Sequence, residues 1–214
     1  MFKKLFATIV TIGVLGFASQ AQAQAQAQAQ EAADAFVRRI SQEVLETAKT
    51  DKDIQNGNQQ KILEVVQAKI LPNVDFQRMT SLAAGRYWRE ATPEQQKRLT
   101  EEFRDLLVYT YAGAIAQIRD QQLEFRPMRN DPADTDVEVR SQVVQQRGEP
   151  IQLNYRLSKS GNSWKIYDLN VLGAWLVETY KGNFASEISK GGIDGLIKTL
   201  AERNKRLAAG GVKP

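Results

Sequence analysis

Tyr109, Tyr111, Asp105 and Asp168 are the side chains of this sequence with the types that acid–base chemistry needs. A Tyr/Asp pair inside a cone of helix and curved sheet can run an isomerisation if burial tunes the phenol and the carboxyl. Their spacing does not demand such a site, and a tyrosine between helix and sheet is most often a core residue with its hydroxyl satisfied. The chain has no histidine and no cysteine. That removes Ser-His-Asp and Cys-His nucleophiles and nearly all zinc sites. It also removes the side chain most used for proton transfer near neutral pH. The expectation is therefore no catalytic residue, no metal and no cofactor, with a cone-fold isomerase kept as an alternative.

Two further features invite a functional reading. Gly191-Gly-Ile-Asp-Gly opens a helix, but it lacks a preceding strand and a following Lys-Ser or Lys-Thr, so it is a poor phosphate loop. Asp194 reads better as a helix N-cap. Trp88, Trp164 and Trp175 either line a pocket mouth or pack with one wet edge. What remains is apolar surface, and it depends on the elements that carry it.

The longest apolar face lies after Thr92. Thr92, Pro93 and Gln95 form a capping box with proline at the first helical position. Leu99, Phe103, Leu106, Leu107, Tyr111, Ile115 and Ile118 then recur at helical spacing. The expectation is a helix from Pro93 to Arg119, roughly 40 Å long. Before it, the spacing predicts a helix from Glu31 to Ala48, a turn at Asn56-Gly57-Asn58, and a helix through Ile62 and Val66 that Pro72 stops. A short helix capped by Asn73 or Asp75 and ended by Gly85 follows. After Arg119 the period becomes two. Leu123 and Phe125, Val137 to Val143, Ile151 to Leu157, and Tyr167 to Val171 give four strands of an antiparallel meander. The long helix is expected to cover their apolar face. Helices over about Ala174 to Lys190 and Asp194 to Leu207 follow, with a frayed tail from Ala208. The fold class is α+β: a twisted antiparallel sheet packed on helices, with an N-terminal helical subdomain.

The start of the chain reads as an export signal. Lys3 and Lys4 precede an apolar run from Leu5 to Ala18, too short for a spanning helix, which needs about 20 residues. Cleavage after Ala21 or Ala23 fits the small-residue pattern, and the Ala-Gln repeat to Gln30 reads as a disordered leader. About 190 residues then remain, one domain over 31–207 (helical to 119, sheet over 122–172) with a flexible 208–214 tail. The whole chain carries a net +4. Loss of Lys3 and Lys4 leaves about +2, short of the clustered basic face that nucleic acid requires.

Several motifs resemble one family. They are Ile70-Leu-Pro-Asn-Val-Asp-Phe, Gly85-Arg-Tyr-Trp, Ala91-Thr-Pro-Glu-Gln, the run from Phe103 to Tyr111, Trp164-Lys-Ile-Tyr-Asp, Tyr180-Lys-Gly-Asn-Phe and Gly191-Gly-Ile-Asp-Gly-Leu. In this order they resemble the MlaC, or toluene-tolerance, family of periplasmic phospholipid carriers. The resemblance covers most of the chain after about residue 31. It implies a cystatin/nuclear-transport-factor-like cone and a soluble, non-catalytic, monomeric carrier in the periplasm. Such a carrier shuttles diacyl phospholipid between membranes and maintains outer-membrane lipid asymmetry. The implied partners are an inner-membrane transporter complex with a lipid-binding ring subunit, and an outer-membrane lipoprotein complex.

The resemblance also implies that part of the helix–sheet interface is hollow. The candidate lipid-binding residues on the helical side are Val74, Met79, Leu82, Phe103, Leu107, Tyr111 and Ile115. On the strands they are Val139, Val143, Leu153, Tyr155, Leu169 and Val171, with Trp175 just beyond. Leu153 is expected opposite the long helix near Leu107 and Tyr111. The alternative from a different class is a periplasmic adaptor whose core is filled, since a dry packed core is the ordinary fate of an apolar stripe.

Overall fold

The computed structural model describes residues 31–128, 131, 133–146 and 148–210. The export signal, the Ala-Gln leader and the last four residues of the tail lie outside the described residues.

Helix α1, Ala33–Thr50, buries Phe36, Val37 and Ile40 on one stripe. Asp51 ends it and caps the single turn α2, Lys52–Gln55, by accepting from the Asp53 and Ile54 amides. Asn58 caps α3, Gln59–Val65, by accepting from Lys61 N–H. The chain then loosens into a π turn over Val66–Ile70 and tightens into a 3-10 turn over Leu71–Asn73. Pro72 contributes to that stop, because it has no N–H to donate to the preceding turn; Leu71 itself keeps helical angles, φ −56° and ψ −39°. Asp75, rather than Asn73, caps α4, Phe76–Ala84, by accepting from Arg78 N–H. Gly85 ends α4 at φ 58°.

Helix α5 starts as the sequence predicts. Gln95 N–H donates to Thr92 Oγ1 at 3.2 Å, and Thr92 N–H donates to Gln95 Oε1 at 3.0 Å. It stops earlier than predicted. The α-helical part is Pro93–Tyr111, and Ala112–Gln117 winds on as 3-10 helix. Gly113 lowers helix preference there, and the buried Ala112, Ile115 and Ala116 pack into a different cluster from the rest of the helix.

The sheet is antiparallel with order β1-β2-β3-β4-β5. Its strands are β1 Gln122–Phe125, β2 Asp136–Val144, β3 Ile151–Ser160, β4 Ser163–Val171 and β5 Ala174–Trp175. The four predicted strands are present, and the fifth is a two-residue return that the sequence reading assigned to the following helix. The register between β3 and β4 shifts between Arg156 and Leu157, which bends the ribbon.

The final helix α6 runs Leu176–Ala209. Gly192 breaks it at φ 67°, ψ −171°, so it comprises two helical segments that meet where the sequence predicts a break, between Lys190 and Asp194. That conformation is open essentially to glycine alone. Asp194 therefore sits in the first turn after the break instead of capping it, and Ala208 and Ala209, expected to be frayed, are helical.

The predicted cover of the sheet is corrected. Helix α5 packs against α4 and α6 and not on the strands. Leu99, Phe103, Leu106 and Leu107 meet Met79, Ala83 and Ala84 of α4 and Val177, Tyr180, Phe184, Ile188, Leu196 and Leu200 of α6. Helix α1 takes the sheet instead, with Ala33, Phe36, Val37 and Ile40 against Val139, Tyr155, Leu157, Trp164 and Ile166. An amphipathic stripe fixes which side of a helix is buried, but it leaves the choice of partner to shape. Here α6 offers α5 a stripe with Tyr180 and Phe184 at its centre. Their rings lie 4.9 Å from the Phe103 ring, edge-on in both cases.

Candidate functional site

The pairing register sorts the apolar face of the sheet into rows. Val139 pairs with Tyr155, and Tyr155 with Leu169; Leu157 pairs with Val137 and Ile166. These rows lie under α1, and Val139 and Leu157 are at most 1% exposed. Toward the other end of the strands, Leu153 pairs with Ser141 and Val171, and Val143 pairs with Leu123 and Ile151. Leu123, Val143, Ile151, Leu153 and Val171 are only half-buried. Val137 and Leu169 are half-buried too, and Ser141 is buried, so the face is more fully covered under α1 and more open toward Leu153 and Val143.

The described residues form three buried apolar clusters. One lies among α4, α5 and α6, one between α1 and the sheet, and one around α2, α3 and Ala112–Ala116. Val74 and Leu169 pack against both of the first two and mark where they meet. Val74 is tied there by a parallel bridge to Ile166, and Asp75 N–H donates to Ile166 C=O at 2.8 Å. Half-buried Ile70, Leu71, Val108 and Ile118 edge the third cluster.

Tyr155 stands at the boundary between the closed and open rows. Burial pushes its phenol up to about 12, against the pull of hydrogen bonds with Ser41 and Ser141. Ser141 is 2% exposed, and its hydroxyl donates to Leu153 C=O. Both polar groups facing the apolar space are therefore satisfied, as burial requires.

The candidate residues fall into distinct places. Val139, Val143, Leu153, Tyr155, Leu169 and Val171 share the apolar face, with Val74 at its edge. Met79, Phe103 and Leu107 lie in the helical cluster and Ile115 in the third cluster. Leu153 and Leu107 thus belong to separate clusters, not to facing sides of one interface as the sequence reading had it. Leu82 and Tyr111 are 40% and 39% exposed. Trp175 pairs with Asn170 on the polar face, where the Arg156 guanidinium lies 3.8 Å from its ring centroid. Trp164 is a packing residue whose indole N–H donates to Glu31 C=O, and Trp88 packs half-buried against the helical cluster. Leu123 and Ile151 complete the open row; the alternation carried them, but only as strand residues.

The acid–base reading is not assembled. Asp105 pairs with neighbouring Arg104 at 2.8 Å on the surface of α5. Asp168 is 1% exposed and holds α6 in place. Its Oδ1 accepts from Val177 N–H at 3.0 Å and Leu169 N–H at 2.9 Å, and its Oδ2 meets Arg156 at 3.2 Å. Burial raises its pKa, against the lowering by those two amides and by Arg156. Both oxygens are engaged, and the carboxylate serves the N-terminus of α6.

The polar side of the sheet carries two clefts of ≈ 310 Å³ and ≈ 380 Å³ that share Arg126 and Arg140. Gln142, Gln152 and Asn154 line the first; Asp134, Asp136 and Glu138 line the second. Their linings are mixed: Pro150 adds apolar surface to the first, and Pro127, Met128 and Val137 to the second. No group of acidic side chains able to hold a metal ion occurs among the described residues, and no helix among them is long and apolar enough to cross a membrane.

A profile of the MlaC protein family matches residues 38–202. The chain is similar to the intermembrane phospholipid transport system binding protein MlaC of Haemophilus influenzae, at 27% identity over 70% of this chain and 74% of the relative. It is similar to the toluene tolerance protein ttg2D of Pseudomonas putida, at 26% identity over 77% of this chain and 76% of the relative. Among solved structures it is similar to the phospholipid-binding protein of Ralstonia solanacearum in complex with a phospholipid. That match has 50% identity, a TM-score of 0.78, and covers 82% of this chain and 98% of the other.

Proposed function

Because the chain belongs to the MlaC family, we propose that it is a periplasmic phospholipid carrier that holds acyl chains against the open end of the apolar sheet face. The observation that carries this reading is the likeness in fold and sequence to a protein with phospholipid bound. The half-buried row of Leu123, Val143, Ile151, Leu153 and Val171 supports the location.

The energetics call for a deep site. Each methylene withdrawn from water gains about 0.8 kcal/mol. Two chains of about sixteen carbons gain some 20 kcal/mol before ordering costs. A carrier that accepts lipid from a bilayer must match most of that gain. The row supplies one wall, and the chains enter where the helical cluster and the α1 cluster share the half-buried Val74 and Leu169. The headgroup stays in water, so headgroup selectivity is weak.

The carrier is exported by the Lys3–Ala18 signal, performs no catalysis and acts as a monomer. It exchanges lipid with an inner-membrane transporter complex and an outer-membrane lipoprotein complex. Relatives named for intermembrane phospholipid transport support that circuit. The test is organic extraction of protein purified from the periplasm without detergent, followed by mass spectrometry. Up to one diacyl phospholipid per chain is expected. A lipid-free preparation that also takes up none from vesicles overturns the reading in favour of an adaptor with a filled core.

A further inference from the structure

The β4–β5 connection is a two-residue turn, with Val171 paired to Ala174 across it. Its central residues Leu172 and Gly173 both have positive φ, 54° and 87°, as a type I′ hairpin turn requires. That turn favours Asn-Gly, since asparagine tolerates the left-handed region and leucine does not. Leu172 is the only non-glycine residue with positive φ among the described residues. It is also 73% exposed, the most exposed large apolar side chain among them. The strained backbone is held, not frayed. Leu172 N–H donates to Gln152 C=O at 3.1 Å, and Gly173 N–H donates at 3.1 Å to the side chain of Asn170, which is 4% exposed. Folding has no use for a leucine here, since its side chain reaches water and its backbone is costly. An outlier of this kind, rigidly presented, points to a role outside the fold.

Its place suggests the role. The turn continues directly from Val171 and is bonded to Gln152, between Ile151 and Leu153. It therefore sits at the open end of the apolar face. We propose that Leu172 is an insertion tip that enters the acyl layer of a bilayer and brings the mouth of the lipid site against it; this rests on the carrier reading above. The surroundings are layered as a membrane interface is. Leucine stands at the apex. Half-buried Trp175 lies one step below, and Arg156 stacks on the indole at 3.8 Å, the order of acyl chain, carbonyl zone and phosphate. A protein partner fits less well. A stable docking surface needs about 800 Å² on each side, which a single side chain on a two-residue turn does not offer. Asp168 counters the Arg156 charge, so the contact is apolar and only weakly salt-dependent.

The experiment compares wild type with Leu172→Asn, both stripped of lipid, in uptake from phosphatidylethanolamine/phosphatidylglycerol vesicles. Asparagine suits the turn, so the variant is expected to melt at or above wild type. Its initial uptake is expected to be three- to ten-fold slower, with unchanged final occupancy. The chain has no cysteine, so Leu172→Cys can carry one environment-sensitive dye, with Asn162→Cys at the β3–β4 turn as control. Brominated acyl chains should quench the dye at 172 and not at 162. Uptake by Leu172→Asn at the wild-type rate, equal quenching at the two sites, or slowing only with a protein donor each overturns the tip while leaving the carrier reading standing. A wild type that holds no lipid and takes up none overturns both.

Discussion

The helical cluster around Phe103 and the open end of the sheet are built from the same kinds of residue and are finished differently. Phe103, Phe184 and Leu196 are at most 1% exposed; the aromatic rings meet at 4.9 to 5.9 Å, and glycine at 192 lets α6 fold its second half back into the cluster. On the sheet, Leu153, Val143 and Val171 stand in register as well ordered as any core row, yet half-buried. Close packing secures the fold in the first region. In the second, an equally regular apolar surface is left without a full set of neighbours. A protein rarely leaves contiguous apolar surface uncovered without a use for it, and here the use proposed is a lipid.

Substitutions can separate the two regions. The largest effect is expected from Phe103→Ala. Truncating a fully buried aromatic costs about 3–5 kcal/mol, which lowers the melting temperature by roughly 10 °C for a chain of this size. Calorimetry of stripped protein checks it, while lipid bound per folded molecule should not change. Loss of lipid capture at intact stability would move the site into the helices. Asp168→Ala comes next. It leaves Arg156 and the first turn of α6 without their acceptor, at about 2–3 kcal/mol once partial exposure of Arg156 is allowed for. Denaturant midpoints measure it.

Gly192→Ala is smaller, about 1–2 kcal/mol. No atom stands within 4 Å of the added carbon, so the cost is backbone strain alone. A variant as stable as wild type would mean that the break in α6 is not needed. The last effect vanishes at neutral pH. Tyr155 has its folded pKa raised to about 12 from 10.0, so the native state keeps the proton longer than the unfolded chain. The stability linked to this is fully present below pH 10, falls as pH rises above it, and is lost through about pH 12. Tyr155→Phe should flatten this alkaline decline, as unfolding at pH 9 and pH 11 would record.

Much of the scaffold was legible in the sequence. Thr92, Pro93 and Gln95 announced the start of α5 because capping is a local matter of a few side chains. The alternation from Leu123 to Val171 gave the strands and the face each residue takes. What stayed hidden depends on distant partners. The stripe on α5 cannot state that α6, and not the sheet, will cover it. Leu172-Gly173 does not read as a hairpin turn, since leucine is the wrong residue for one, so the helical pattern runs back over β5 to Ala174 and nothing local sets Trp175 on the polar face. Asp168 reads as a possible acid from its type alone, because nothing local reveals that it meets the amide of Val177. The site was legible as a face and not as a boundary: alternation lists Tyr155 and Leu153 alike, and only packing by α1 closes over one and leaves the other half-open.

Leu153→Trp tests that boundary most directly. Stripped wild type and variant are compared for melting temperature and for lipid captured from vesicles, because bound lipid by itself raises apparent stability. If Leu153 faces a space reserved for acyl chains, the indole occupies that space. Melting should then stay within about 2 °C of wild type, while lipid capture falls about tenfold. If Leu153 belongs to an ordinary core, the added bulk costs about 1–3 kcal/mol in strain. A clear loss of stability with capture unchanged would contradict the account.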